Sequence, residues 1–252
     1  MHCAKLLVAG CAGLLTTTIA SAQPCKFETV GSGAVRAVVD GRTLALNDGR
    51  EVRLAGLEVP AAPAGKAALQ TMLGGREIVL KRLGTQTDRH GRLLAHVFTA
   101  GGERWVQHAL IAAGHARVAA SVNDAGCAEA LLSAERAART AGLGLWSEAS
   151  YAPRQAGNVV ELLAERARFT LVEGKVLSVR ESGGTIYVNF GRRWSEDFTV
   201  TALRRNERTF ANAGLDLKKL AGRYVRVRGF IEERGGPWIE LSHPEQIEVI
   251  GR

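Results

Sequence analysis

The strongest constraint on the fold is a series of short alternating segments separated by glycine turns. Thr43–Leu46 and Glu51–Leu54 flank Asn47-Asp48-Gly49, a strong hairpin signal because Asp-Gly accepts the positive backbone angles of a tight turn. Residues 64–73 are rich in alanine and end at Gly74-Gly75, as a helix does. Further strands are predicted at Val35–Val39, Glu77–Leu80 and Leu93–Thr99. This order of three strands, a helix and two strands predicts a small OB-type β-barrel.

The second half of the chain repeats this plan after two more helices. The helices are predicted at Val106–Ala113 and Cys127–Thr140, and residues 151–158 have the Pro, Gly and Gln content of a linker. The later elements are strands at Phe169–Val179, Thr185–Phe190, Asp197–Leu203, Tyr224–Ile231 and Trp238–Leu241, with a short helix at Arg205–Ala213. We therefore predict a mainly β fold with helices (α+β), in which a barrel domain over 23–150 precedes a second, OB-like β-barrel domain over 159–252. An open sheet with one helix is the alternative for the second domain.

The N-terminus predicts export. Residues 1–22 combine a lysine, an apolar stretch over Leu6–Ile19 and the small-residue cleavage site Ala20-Ser21-Ala22, which is the pattern of a signal peptide. The apolar stretch is too short to span a bilayer, so no transmembrane segment is predicted. Cleavage and lipidation at Cys11 is the alternative processing. The expected location is the periplasm or the exterior of the cell.

The mature chain is predicted to be basic. Removing residues 1–22 takes away one lysine and no acidic residue, which leaves 32 basic and 25 acidic residues, a net charge of +7. A basic exported protein suits nucleic acid, anionic lipid or an acidic glycan as a partner. Solubility alone is the competing explanation for this charge.

Only Cys25 and Cys127 remain after processing. A pair of cysteines in an oxidising compartment predicts a disulfide, and two free buried thiols are the alternative. The remaining residues show no metal-ligand spacing of Cys or His.

Several motifs together resemble the staphylococcal nuclease-like (thermonuclease) domain over roughly residues 33 to 148. The motifs are Val35–Gly41, the turn Asp40-Gly41-Arg42-Thr43, the strand and loop Val52–Pro60, the loop Asp88-Arg89-His90-Gly91-Arg92, and Gly142–Ser147. The resemblance implies a nuclease scaffold in which calcium, a glutamate acting on water, and two arginines on the phosphate carry out phosphodiester hydrolysis.

The resemblance places the two phosphate-binding arginines at Arg53 and Arg92. A guanidinium fork matches phosphate geometry, although each arginine could instead pair with a local carboxylate. Arg42 lies in the adjacent turn, so Arg42, Arg53 and Arg92 are predicted to form one anion-binding pocket. The same comparison makes Asp40 and Glu58 the remaining weak candidates for calcium ligands.

The acidic part of the family site is incomplete in this sequence. Arg42 stands where the family has a calcium-binding aspartate, and Ala61 stands at the position of the catalytic glutamate. We therefore predict a degenerate site that binds a polyanion such as nucleic acid, or a protein partner, without efficient cleavage and without a cofactor. The alternatives are a secreted calcium-dependent nuclease with a rearranged site, and an envelope module for structural interactions.

A second candidate surface lies in the C-terminal half. Strand alternation puts Tyr224, Arg226 and Arg228 on one face, and Trp194 and Trp238 lie in basic or glycine-rich loops. Interleaved basic and aromatic residues suit single-stranded nucleic acid. A solvated strand face with both tryptophans in the core is the favoured alternative.

Overall fold

The computed structural model describes residues 25–61, 63–83, 87, 91–101 and 104–251. The predicted signal peptide, the lipidation alternative at Cys11 and residues 88–90 of the predicted phosphate loop lie outside the described residues.

The described residues of the first half form seven strands and three α-helices. In chain order they are β1 (Glu28–Asp40), β2 (Thr43–Leu46), β3 (Glu51–Leu54), β4 (Leu57–Glu58), α1 (Pro63–Leu73), β5 (Glu77–Arg82), β6 (Leu93–Thr99), α2 (Val106–Ala112), β7 (Arg117–Val118) and α3 (Ala125–Thr140).

The second half adds nine strands and two short helices. They are β8 (Arg154–Gln155), α4 (Val159–Ala164), β9 (Phe169–Lys175), β10 (Ser178–Ser182), β11 (Thr185–Asn189), β12 (Thr199–Leu203), α5 (Glu207–Asn212), β13 (Tyr224–Phe230), β14 (Glu232–Arg234), β15 (Gly236–Leu241) and β16 (Ile247–Gly251).

Five strands of the first half close into a barrel in the order β1-β2-β3-β6-β5. The long strand β1 closes it by pairing with β2 along one part and with β5 along another. The predicted hairpin is present: Gly49 has a φ of 88°, and Leu46 N donates to Arg50 O at 2.9 Å. Leu44, Leu46 and Leu80 are fully buried inside the barrel core. The predicted α+β fold with an N-terminal barrel is confirmed.

The second half is also a β domain, as predicted, but its strands form two sheets instead of one closed barrel. One sheet has the order β10-β11-β12-β15-β14 and the other β16-β13-β9-β8. The segment predicted as one strand over Phe169–Val179 is divided between β9, which pairs with β13, and β10, which pairs with β11 in the other sheet. The predicted linker also contributes to this domain, because Arg154 and Gln155 form β8 beside β9.

A buried ionic cluster joins the two halves. Arg228 on β13 is 1% exposed and Glu135 on α3 is 0% exposed. The guanidinium donates to both carboxylate oxygens, Nη1 to Oε1 at 3.0 Å and Nη2 to Oε2 at 2.8 Å. Arg228 Nη2 also lies 2.7 Å from Glu248 Oε1, and Arg136 Nη1 lies 3.0 Å from the other oxygen of Glu248. The pairing thus links α3 of the first half to β13 and β16 of the second.

This cluster corrects the predicted basic face on β13. Alternation does place Arg226 and Arg228 on one face, but that face is covered by the first half of the chain. Arg226 binds Glu173 on β9, with Nε to Oε1 at 2.7 Å. Both arginines therefore serve internal ion pairs and leave little of this face for a ligand.

The predicted disulfide between Cys25 and Cys127 is confirmed, with Cα atoms 4.7 Å apart and a sequence separation of 102 positions. It attaches the segment before β1 to the first turn of α3. That turn is capped by Asp124, which accepts a hydrogen bond from Cys127 N at 2.8 Å. Asp124 and the two cysteines form the one cluster of potential metal ligands among the described residues, and the disulfide removes both sulfurs from metal binding.

Across the described part of the chain, no helix has both the length and the apolar character needed to cross a membrane.

Candidate functional site

The candidate site begins at the turn between β1 and β2. Gly41 packs closely against Val59, because a Cβ at this position would lie 2.6 Å from Val59 Cγ1 and 3.5 Å from the backbone of Gly65 in α1. Any larger residue in this turn would therefore force Val59 to move. Asp40 accepts a hydrogen bond from the backbone N–H of Arg42 at 2.8 Å. The exposed Asp40 carboxylate therefore stabilises the turn itself, as aspartates commonly do in tight turns.

Arg42 makes an ion pair with Glu58 across the site. Nη1 of Arg42 lies 2.9 Å from Oε2 of Glu58, and their side chains are 27% and 16% exposed. The same nitrogen lies 3.5 Å from the carbonyl oxygen of Leu57. Arg42, predicted to bind an anion, and Glu58, predicted as a candidate calcium ligand, therefore neutralise each other as an ion pair.

A second cation acts on Glu58. Arg117 stands opposite Glu58 in the pairing of β4 with β7 and is buried. Burial lowers the pKa of Arg117, and the negative charge of Glu58 opposes that shift. The Glu58 carboxylate thus interacts with the positive charges of both Arg42 and Arg117.

The residues that the structure describes at this site do not fit calcium. Calcium requires six to eight oxygen ligands, usually with several carboxylates. Here Glu58 is bound to a guanidinium, Asp40 is bound to the turn backbone, and exposed Ala61 offers only a methyl group. The positive charge of Arg42 would also repel a divalent cation. At a separation of a few ångströms and an intermediate dielectric constant, Coulomb's law gives a repulsion energy on the order of several kcal/mol.

A cavity of about 270 Å³ opens beside this ion pair. Arg42, Arg53 and Glu58 line it from the barrel, and Phe169 and Phe230 line it from the second domain. The two phenylalanines pack edge to face, with ring centroids 5.5 Å apart. The cavity therefore carries arginine on one side and an aromatic wall on the other.

His96 also lines this cavity, from β6. Burial lowers the pKa of His96 to about 4, and the charge of Asp124 counteracts only part of that shift. The imidazole is therefore neutral at pH 7 and adds no positive charge to the site. Its ring packs on Phe27, with centroids 4.9 Å apart.

Two of the three arginines that were predicted to form one anion-binding pocket line this cavity. Arg42 and Arg53 share the cavity, and β3 holds Arg53 opposite Thr43 of β2. Arg92 immediately precedes β6 and is not among the described residues that line the cavity. Because residues 88–90 lie outside the described part of the chain, the predicted loop is represented by Gly91 and Arg92 alone.

A larger groove, of about 890 Å³, lies on the second domain. Tyr187, Trp194 and Trp238 line it together with Arg180, Arg192 and Arg234. Trp194 is 70% exposed, so the expectation of a core position is wrong for this residue. Sequence reasoning singled out the two tryptophans but missed Arg180 and Tyr187, whose neighbouring positions on β10 and β11 could have been inferred from the hairpin at Gly183-Gly184.

The position of Phe169 and Phe230 in the wall of the cavity beside Arg42 was also missed. Both were predicted in strands, and no local pattern indicates that those strand ends face another domain. Contacts between distant parts of a chain leave no periodic signal in either segment.

Comparison with known proteins assigns the central part of the first domain. Residues 52–148 match the family described as Staphylococcal nuclease homologue. This match supports the resemblance of this stretch to a staphylococcal nuclease-like domain, and the turn with Asp40 and Arg42 lies before the matched residues. No curated protein matches the chain.

Proposed function

We propose that this protein is an exported, staphylococcal nuclease-like protein that binds a polyanion, with nucleic acid as the favoured class, and does not cleave it efficiently. The observation that carries the proposal is the ion pair between Arg42 and Glu58 at 2.9 Å. It occupies the place where the resemblance puts two acidic calcium ligands. Export is supported by the disulfide, since such bonds persist in oxidising compartments.

Weak hydrolysis follows from two independent deficits. The arginine at position 42, where the family has an aspartate, changes the local charge by two units. It also forms an ion pair with Glu58, the remaining carboxylate of the cavity. An alanine at position 61 supplies no general base, a loss that typically lowers a rate by about 10²–10⁴. Because neither deficit is compensated by another carboxylate lining the cavity among the described residues, the two act together.

Anion binding is supported by the residues that remain. Arg53 lines the cavity, and its delocalised guanidinium suits a phosphate group. Phe169 and Phe230 on the opposite wall add aromatic surface to the cavity. A cavity of about 270 Å³ suits a phosphate or a terminal nucleotide better than a continuous duplex.

The unmodified protein is expected to show no calcium-dependent cleavage of single-stranded DNA or RNA above a mock preparation. Arg42→Asp with Ala61→Glu returns two carboxylates and should produce calcium binding in the millimolar range or tighter. Calorimetry measures the calcium affinity, and a nuclease assay with calcium or chelator measures turnover. Arg36→Asp with Ala37→Glu is the matched control, because both positions are exposed on β1. Robust calcium-dependent turnover by the unmodified protein would refute the proposal.

Phosphate binding is expected to require Arg53. A deoxynucleoside 5′-monophosphate should bind without metal, and its affinity should fall as salt is raised. Arg53→Ala should weaken binding about ten-fold, as expected for the loss of a charged hydrogen bond. Arg92→Ala should have a smaller effect because Arg92 does not line the cavity. Arg76→Ala, which removes an exposed charge before β5, is the control. An NMR titration that leaves the resonances of the cavity unmoved would mean that the cavity does not bind phosphate.

A further inference from the structure

We propose that the groove on the second domain is a separate binding site for a single-stranded nucleic acid segment, held by base stacking on Trp194 and by phosphate contacts to Arg180 and Arg192. The groove lies along β10, β11 and β12 and is bounded by the loop at 191–195 and by the hairpin of β14 and β15. At about 890 Å³ it has more than three times the volume of the cavity beside Arg42.

Trp194 provides an aromatic platform. An indole that is 70% exposed keeps a large apolar surface in water, where a base can stack on it. Inside the groove Tyr187 and Trp238 form a perpendicular pair with ring centroids 6.1 Å apart. Arg234 lies over the Trp238 ring, 5.0 Å from its centroid, and holds that ring in place. The groove thus has one exposed aromatic ring at its rim and two fixed rings inside.

The charges in the groove leave a cationic surplus. The acidic residues near the 191–195 loop are already paired, since Arg193 binds Glu196 at 2.7 Å and lies 3.7 Å from Asp197. Arg234 is likewise paired with Glu232 at 2.8 Å. Arg180 and Arg192 are exposed, and among the described residues neither has a carboxylate within ion-pair distance. These two guanidinium groups therefore provide the positive charge available to a ligand.

Polar side chains on the floor of the groove add hydrogen-bonding groups. Asn189, Ser178 and Thr199 line it, and their mutual hydrogen bonds are long, at 3.4 Å. Long bonds of this kind are exchanged readily for shorter ones to a ligand. The groove therefore offers three kinds of contact to a nucleotide. Its planar rings can stack on a base, its unpaired arginines can bind a phosphate, and its amide and hydroxyl groups can form hydrogen bonds with the edge of a base.

The combination favours single-stranded nucleic acid over other polyanions. A duplex hides its base faces, whereas a single strand presents them for stacking. A sulfated polysaccharide would use the arginines but would gain little from a planar indole. This inference shares only the ligand class with the proposed function, because it concerns different residues on a different domain.

The test uses the full oxidised protein, a fluorescently labelled oligo-dT and a sulfated polysaccharide of similar length. Fluorescence anisotropy should show oligo-dT binding that weakens with salt, and binding should quench tryptophan emission. Trp194→Ala should weaken oligo-dT binding on the order of ten-fold, in line with the loss of one stacked base. It should leave polysaccharide binding unchanged. Arg180→Ala with Arg192→Ala should weaken both ligands and reduce the salt dependence.

Two controls separate this site from the cavity. Arg205→Ala with Arg208→Ala removes the same charge from exposed positions outside the groove and should leave oligo-dT binding unchanged. In the Arg53→Ala background, Trp194→Ala should still weaken oligo-dT binding on the order of ten-fold, so failure at the cavity and failure at the groove are distinguishable. Equal affinity for both polymers together with no effect of Trp194→Ala would overturn the inference. Equal weakening by the groove and control arginine pairs would overturn it as well, because binding would then follow net charge alone.

Discussion

Arg228→Met is expected to lower the free energy of unfolding by about 3–5 kcal/mol, the cost of removing one partner from a buried ion pair. The side chain of Arg228 is almost fully buried and bonds both oxygens of Glu135, which is itself inaccessible to solvent. Methionine fills much of the same volume but leaves the charges of Glu135 and Glu248 with less compensation. Urea unfolding monitored by tryptophan fluorescence measures the loss.

A double variant identifies the cause of that loss. Arg228→Met with Glu135→Gln also removes the buried negative charge, while the glutamine oxygen still accepts the hydrogen bond that Val118 N donates to Glu135 at 2.8 Å. This variant should therefore be more stable than Arg228→Met alone. Arg205→Met is the surface control and should change stability by less than about 0.5 kcal/mol. If the double variant were no more stable than the single one, an uncompensated charge would not be the reason.

The same cluster makes stability depend on pH in the acid range. Burial by itself would raise the pKa of Glu248, but the charges and hydrogen bonds of Arg228, Arg226 and Arg136 hold it below its ordinary value. A carboxyl group whose pKa is depressed by folding stabilises the protein above its unfolded pKa and loses that contribution as pH falls through the folded pKa. The unmodified protein should thus lose stability below about pH 4.5, near the ordinary glutamate pKa. Glu248→Gln should flatten this part of the pH profile.

The first barrel could be predicted closely because its signals are local. The hairpin at Asp48-Gly49 needs only the turn residues and the alternation on either side, and the strand predicted at Leu93–Thr99 has the bounds observed for β6. Closure of the barrel follows from the length of β1, which exceeds the predicted Val35–Val39 and reaches both β2 and β5.

The second domain was harder to predict because its decisive contacts are distant in sequence. Alternation correctly placed Arg226 and Arg228 on one face. The buried carboxylate that binds Arg228, however, belongs to Glu135, which is 93 residues away in sequence. No property of the β13 sequence distinguishes a solvated basic face from a face covered by another domain. The same reason explains why β16, a last strand that pairs with β13, was not predicted.

At the candidate site, residue types could be predicted but their pairing could not. The resemblance drew attention to Arg42, Glu58 and Ala61, and it treated Arg42 as an added cation for a ligand. The structure directs that guanidinium to Glu58 instead. A substitution that reverses a charge beside an existing carboxylate commonly creates an internal ion pair, because the pair needs no external partner.

Loss of the disulfide is the second large effect that we expect. Cys25→Ala with Cys127→Ala should lower the free energy of unfolding by about 2–4 kcal/mol, since the bond closes a loop of about 100 residues and restricts the unfolded chain. Mass spectrometry should show the oxidised protein lighter than the reduced one by the mass of two hydrogen atoms. Because Cys127 is fully buried, alanine also removes some packing, so the reduced unmodified protein is the better comparison. It retains both side chains and should show most of the same loss.

The position of the disulfide determines which parts of the chain lose stability when it is reduced. Cys127 lies on the first turns of α3, and Glu135 lies two turns later on the same helix, facing Arg228 of the second domain. Anchoring the start of α3 to the segment before β1 therefore also supports the helix that carries the interdomain ion pair. Hydrogen exchange after reduction should increase first near residues 25–28 and the start of α3, before it increases in β13. Identical unfolding of the reduced and oxidised proteins in urea, with two thiols alkylated in the reduced sample, would contradict a stabilising role for the bond.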